Sequence, residues 1–171
     1  MKTRPFTHTA FRTLALLFAL CAVTLAPAHA ASSRDYTPVG FALLANFDVK
    51  LENPDTYAGQ TEAEYAASLI PDQIKELDGK RVMIPAYMMP ITWAEGGGVS
   101  EFLGMASTTS CCFGQIPRLT EIIAVKMADG TTTQSLMDSP LFLYGTLKVG
   151  PVVEDGYVTA VYSMICDKVT W

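Results

Sequence analysis

The chain has 171 residues, half of them apolar, with 12 Lys and Arg against 17 Asp and Glu and a net charge of −5 at pH 7. So apolar a composition excludes a disordered segment, which lacks the surface to bury. The acidic balance argues against a nucleic-acid partner, because phosphate binding needs a basic face, and against docking on anionic lipid by charge alone.

Lys2, Arg4 and Arg12 form a basic stretch without an acid, Thr13 to Thr24 is an apolar run, and Ala28-His29-Ala30 is an A-x-A cleavage site. The pattern predicts a secretory signal over residues 1–30, a mature start at Ala31 and a periplasmic or secreted protein. The apolar run is short for a membrane span, which needs about 20 residues, and no second run follows it. No transmembrane segment is therefore expected after cleavage; a retained N-terminal anchor or a lipidated Cys21 is the alternative. Cleavage removes His8, His29 and Cys21, and leaves nine basic residues against seventeen acidic ones, a charge of −8. The mature chain then holds no histidine and three cysteines, Cys111, Cys112 and Cys166. Its 141 residues suffice for one domain with a core.

Residues 31–59 read as an N-terminal lead-in. Residues 31–40 look mobile, Phe41 to Val49 is a first strand or a buried segment, and Asn53 to Gly59 is turn-rich. The domain over 60–171 opens with a capping box, Thr61 and Glu64, and a short helix through Leu69. Pro71, Asp72 and Glu76 suit a further helical turn that Gly79 ends. From Lys80 the period changes to two: Val82, Ile84, Ala86 and Met88 alternate with Arg81, Met83, Pro85, Tyr87 and Met89. Pro85 and Pro90 mark an edge or a bulge. Further strands are expected over Val99–Met105, Glu121–Met127, Leu141–Val149 and Tyr157–Ile165, with a bulge or bend at Gly145. The stretch Ala106 to Thr120 has no periodicity and holds Cys111 and Cys112. The fold class is mainly β: a small OB-like barrel of about five strands with a short N-terminal helix, since closure removes exposed strand edges. A small β-sandwich is the alternative.

Four segments, in order, carry a family resemblance. They are Leu77-Asp78-Gly79-Lys80-Arg81-Val82-x-Ile84-Pro85-x-Tyr87-Met88-x-Pro90-Ile91, then Ser100-Glu101-Phe102-Leu103, then Cys111-Cys112-Phe113-Gly114-Gln115-Ile116-Pro117, and Gly145-Thr146-Leu147-Lys148-Val149. Together they resemble an exported bacterial family, the domain of unknown function three-two-nine-nine, over about residues 70 to 165. The resemblance implies an exported, OB-like, non-catalytic or accessory protein of the envelope, a companion of a transport system. Many relatives carry a C-x-H in the cysteine loop, where this chain has Cys-Cys-Phe-Gly and no histidine. That departure weakens a metal site built on Cys and His.

The three cysteines admit three readings. A disulfide from Cys166 to Cys111 or Cys112 would close a loop of roughly 55 residues and contribute about 3 to 4 kcal/mol. A soft-metal site for copper or zinc would use Cys111, Cys112 and Cys166 with Met88 as a thioether ligand. Adjacent cysteines are a poor spacing for tetrahedral zinc, and methionines in strands more often fill cores. A vicinal Cys111–Cys112 bond would be strained and easily reduced, but there is no C-x-x-C motif to tune it.

No histidine base remains for serine catalysis, and no S-x-x-K motif supports a Ser-Lys pair at Ser107 or Ser110. The carboxylate pairs Asp72/Glu76 and Glu154/Asp155 fall on a helix face and a turn, where solvated surface is the simpler role. Gly96-Gly97-Gly98 lacks the Lys-Ser/Thr of a phosphate loop. Tyr87, Trp93 and Phe102 either pack in the core or form an aromatic face for a ligand. The sequence therefore points to a non-enzymatic accessory or binding protein with no cofactor, whose partner is a protein or a small ligand. The alternative is a copper- or zinc-binding or thiol redox protein.

Overall fold

The period-two pattern that starts at Arg81 becomes one long strand and then one sheet. The computed structural model describes residues 35–109 and 116–171. The predicted signal, Cys111 and Cys112 lie outside the described residues, which all fall within one unit, Ser32–Trp171. In chain order the elements are β1 (Thr37–Pro38), α1 (Phe41–Leu44), a 3₁₀ turn (Pro54–Tyr57), α2 (Glu62–Ser68), α3 (Asp72–Lys75), β2 (Arg81–Trp93), β3 (Val99–Met105), a 3₁₀ turn (Leu119–Glu121), β4 (Ile122–Met127), β5 (Leu141–Glu154) and β6 (Tyr157–Thr170). The protein is mainly β: one six-stranded sheet, ordered β1-β2-β3-β4-β6-β5, with a few short helices.

β2 divides its pairing. Its first half, Arg81–Ala86, runs antiparallel to β5, and its second half, Tyr87–Trp93, runs antiparallel to β3. β3 pairs with β4, β4 runs parallel to β6, and β6 pairs with β5. Each of the five long strands therefore has two long neighbours. Pro85 and Pro90 fall where β2 has a single partner strand, β5 and β3 respectively, so a missing N–H is tolerated.

Alternation sets the two faces. Val82, Ile84, Ala86 and Met88 of β2 are buried, and so are Phe102, Val125, Leu143, Leu147, Met164 and Cys166 from the other strands. The apolar segment at Phe41 forms one helical turn rather than a strand, and Leu44 is buried beneath it. The fully buried Tyr162 of β6 donates its hydroxyl to the Leu44 carbonyl at 2.8 Å. Residues 35–59, read from sequence as a lead-in, add Tyr36, Val39, Leu44, Val49 and Tyr57 to the buried set.

The capping box forms as expected. The Thr61 hydroxyl accepts from the Glu64 amide at 3.2 Å, and the Glu64 carboxylate accepts from the Thr61 amide at 2.8 Å. These bonds, the backbone one first, hold the Glu64 carboxyl below its usual value. Glu62, in the same first turn, accepts from the Val158 amide at 2.8 Å and so anchors the helix to β6.

Gly145 lets β5 run close to β6. The register shifts between Tyr144 and Gly145, and a Cβ on Gly145 would lie 2.2 Å from the Ile165 carbonyl oxygen. The expected bend is thus a bulge at which only glycine clears the neighbouring backbone. β5 outruns its expected end at Val149, and the chain end extends β6 past Ile165 to Thr170. A second irregularity between Val149 and Val152 absorbs Gly150 and Pro151, and the hairpin continues to its turn at Asp155-Gly156.

Candidate binding groove

The outward residues of five strands line up in two cross-strand rows. One runs Met89, Leu103, Ala124, Ser163, Lys148, and the other runs Glu101, Lys126, Ile165, Thr146. Over these rows lies a groove of about 360 Å³. Ala124, Lys126, Ser163 and Ile165 form its floor, and Ile91, Lys148 and Glu154 stand around it. Its size falls at the lower end of ordinary ligand sites, and its surface is mostly apolar with a few polar groups.

Ile91 stands at an outward, odd-numbered position of β2, beside a bulge. The β2–β3 register shifts between Pro90 and Thr92, which leaves Ile91 without an opposite residue and 53% exposed. Ile165 is 51% exposed, and Met89 and Trp93 are also exposed on β2. Large apolar side chains exposed together at such a surface stand apart from single exposed apolar residues, which are ordinary.

The polar groups are unequally satisfied. Lys126 Nζ lies 3.4 Å from Glu101 Oε1, and Thr92 donates its hydroxyl to Glu101 Oε2 at 3.1 Å. Lys148 Nζ lies 3.7 Å from Asp78 Oδ2. Among the described residues the Glu154 carboxylate has no ion-pair partner, and the Ser163 hydroxyl has no hydrogen-bond partner. The sequence reading placed Glu154 with Asp155 as a candidate acid–base pair; the structure puts it at the end of β5, on the groove rim.

The residues singled out from sequence lie elsewhere. Cys166 is a free thiol, fully buried on β6, donating to the Lys168 carbonyl at 3.2 Å. Burial, the largest influence, pushes the thiol up to about 11. A neutral, buried thiol is neither a ready nucleophile nor a ready ligand. Met88 is buried on β2 as part of the core. Of the three aromatic candidates, Phe102 is buried, Tyr87 is half-buried and Trp93 is exposed. Asp72 pairs with Lys75 on the exposed side of α3. No cluster of three or more His, Cys, Asp or Glu residues with metal-binding geometry occurs among the described residues. No helix among them is long and apolar enough to cross a membrane.

A second polar cluster sits at the other end of β2. Tyr36 donates its hydroxyl to Asp167 Oδ2 at 2.8 Å, and Arg81 Nη2 donates to the Tyr36 oxygen at 2.6 Å and to Asp167 at 3.3 Å. The Arg81 guanidinium stands 4.4 Å from the Tyr36 ring centre, Tyr36 meets Tyr144 edge-on at 5.3 Å, and Lys168 stands 4.5 Å from the Tyr144 ring centre. Burial first, then the bond to Asp167, raises the Tyr36 phenol above its usual value.

Of the groove residues, Glu154 was a candidate in the sequence reading, whereas Ile91, Glu101, Lys126, Ser163 and Ile165 were not. The alternation around Phe102 and Met164 marks Glu101, Ser163 and Ile165 as outward, but only strand pairing brings them together.

Fold and site together define a mainly-β protein, one six-stranded sheet with an apolar groove across it. The chain belongs to the family described as "Protein of unknown function (DUF3299)", whose model matches residues 31–171. A crystal structure of a DUF3299 family protein from Pseudomonas aeruginosa PAO1 is similar at 26% identity and a TM-score of 0.56, covering 79% of this chain and 95% of that one. A putative aspartyl-tRNA synthetase from Leishmania major Friedlin aligns at 10% identity and a TM-score of 0.43, over 93% of this chain and 25% of its own, which is too distant to carry an argument. No curated protein matches the chain.

Proposed function

We propose that this chain is an exported, non-enzymatic binding protein of the cell envelope, built on an OB-like barrel, which receives a partner or ligand in the groove across β3, β4 and β6. The single observation that carries the reading is the groove itself. Large apolar side chains, Ile91 and Ile165, are exposed there beside polar groups that the fold leaves unsatisfied. A chain that merely needed to fold would gain nothing from large apolar side chains held at outward positions. The barrel reading is supported by the split pairing of β2, which gives each long strand two neighbours and leaves no long free edge between β2 and β5. OB-like barrels characteristically bind on an outer face of this kind. The export reading is supported by the basic, apolar and A-x-A pattern of residues 1–30, and the family match begins at residue 31. A role beside a transport system rests on the family resemblance alone. Soft-metal or thiol redox chemistry is less well supported, because Cys166 and Met88 are both core residues.

In-cell photo-crosslinking tests the reading. A photoreactive phenylalanine replaces Ile165 in one strain and Phe142, which is exposed but outside the groove, in another. Cells are fractionated before analysis. The expected result is an adduct of defined mass from position 165 alone, in the periplasmic fraction, on a chain lacking residues 1–30. Equal labelling from both positions would remove the groove from the function, and a cytoplasmic, uncleaved chain would remove export.

A further inference from the structure

The charges at the groove are not equivalent, and their inequality specifies an occupant. Lys126 is held by Glu101, and Lys148 leans on Asp78. Among the described residues Glu154 alone of the groove's charged side chains lacks a partner. The uncompensated charge on the rim is therefore negative, within a chain whose overall balance is also negative. A ligand that enters gains by bringing a cation to Glu154 and loses by bringing an anion.

The groove's shape decides between a small molecule and a chain segment. A small ligand is held by a pocket that covers most of its surface. This groove lies open on the outside of a sheet, and exposed apolar side chains continue beyond it along β2 at Met89 and Trp93. Contact surface of that extent fits a segment of a larger partner, whose neighbouring residues cover what the groove does not. Backbone pairing from the occupant is not needed, because β3, β4 and β6 are already paired on both sides of the floor. Recognition then falls to side chains: apolar ones over Ile91, Ala124 and Ile165, and a basic one at Glu154.

We infer that the groove is a docking site for an apolar peptide segment of a partner protein that carries a Lys or Arg positioned to meet Glu154. The inference rests on the proposed groove function and adds the chemistry of its occupant. A second copy of this chain is disfavoured by like charge, and an anionic membrane by the same sign.

Three capped fluorescent hexapeptides test it, identical in five apolar residues and ending in arginine, glutamine or glutamate. Binding to the full chain is read by fluorescence anisotropy at low salt, with vesicles of anionic phospholipid in a parallel arm. The expected order is arginine tightest, glutamine weaker by about two- to fivefold as for an exposed ion pair, and glutamate weakest. Glu154→Gln should erase the arginine preference while leaving the glutamine peptide's affinity unchanged. Ile165→Asp should abolish binding of all three, with its fold checked by circular dichroism, and Ile91→Asp serves as the second variant. Binding with no charge preference, or a preference that survives Glu154→Gln, overturns the occupant's chemistry and leaves the groove reading intact. Peptide binding that Ile165→Asp and Ile91→Asp leave unchanged overturns both. Vesicle binding that depends on Ile165 overturns the peptide assignment in favour of a membrane surface.

Discussion

The cluster around Tyr36 and the groove around Ile165 share the outward side of β6, where Asp167 and Ile165 alternate with the buried Met164 and Cys166. Each combines aromatic or aliphatic side chains with both signs of charge, yet they are finished to different degrees. At Tyr36 the hydroxyl both donates and accepts, the carboxylate of Asp167 receives two donors, and both rings carry a cation. At the groove the floor pair Glu101–Lys126 is made, but Glu154 and Ser163 are left over beside exposed isoleucines. A fully satisfied cluster joins elements; Tyr36 ties the start of the described chain to β2 and β6. A partly satisfied one has capacity left for something outside the chain. The contrast separates a completed polar cluster from the surface proposed for recognition.

Gly145 stands between the two regions, and replacing it has the largest expected effect. Tyr144 before it belongs to the first cluster, and Lys148 after it reaches the groove. Gly145→Val would force side-chain atoms into the Ile165 carbonyl and the Cys166 Cα. The backbone of β5 and β6 would have to separate, costing about 3 kcal/mol or more. Urea unfolding should show a large loss of midpoint or no folded protein, and both regions should fail together. A variant as stable as the parent would mean that the close approach is not needed.

Cys166 tests the interior that both regions share. Its thiol titrates near 9.0 when free and near 11 when buried. Between these values the unfolded chain has released the proton that the folded chain retains. Stability that is fully present below pH 9 is therefore lost as pH rises through 11. Compared with Cys166→Ala, the parent should lose on the order of 2 kcal/mol between pH 8 and pH 10.5. Urea midpoints of both proteins at the two pH values give that difference directly; Cys111 and Cys112 are common to both and cancel. A gap that does not change with pH would place the thiol in contact with water.

Tyr36→Phe removes one hydroxyl from the satisfied cluster and leaves Arg81 and Asp167 with only each other. The bonds join side chains that are partly exposed, so the cost is discounted to about 1 kcal/mol. Thermal unfolding should show a small decrease, with peptide binding at the groove untouched. Loss of binding in this variant would couple the two regions and dissolve the distinction drawn between them.

Local signals were readable in the sequence because their causes are local. The Thr61/Glu64 box, the alternation of β2 and the span of β3 follow from residues within a turn or a strand of each other. The apolar run from Phe41 to Val49 was ambiguous because a short apolar run does not tell a strand from a buried helical turn, and only Phe41–Leu44 forms the turn. Gly150 and Pro151 read as a strand end, although a register shift carries β5 past them. The groove was hidden for a different reason. Glu101, Lys126 and Ile165 are neighbours through an antiparallel and then a parallel pairing, across 25 and 39 positions of chain. Ile91 follows Met89 on the outward, odd-numbered positions of β2, and only strand pairing sets it beside Ala124 and Ile165. Cysteine chemistry is conspicuous in a sequence, but the one cysteine among the described residues, Cys166, is core.

The smallest expected effect is the one that bears most on the contrast. Glu101→Gln removes the charge opposite Lys126 and can keep the bond from Thr92. The pair is exposed, with 61% of the lysine and 41% of the glutamate side chain open to water, so water and salt already screen it. Stability should change by no more than about 0.5 kcal/mol. Freed from Glu101, Lys126 would add a positive charge to the floor and oppose a basic peptide, so the arginine peptide should bind more weakly while unfolding barely shifts. A surface built for recognition gives this dissociation of binding from stability. If the substitution instead costs more than about 1 kcal/mol, Glu101 and Lys126 hold β3 to β4 as Tyr36 holds its neighbours. The groove would then be a second structural cluster with an incomplete rim, and the two regions would differ only in degree.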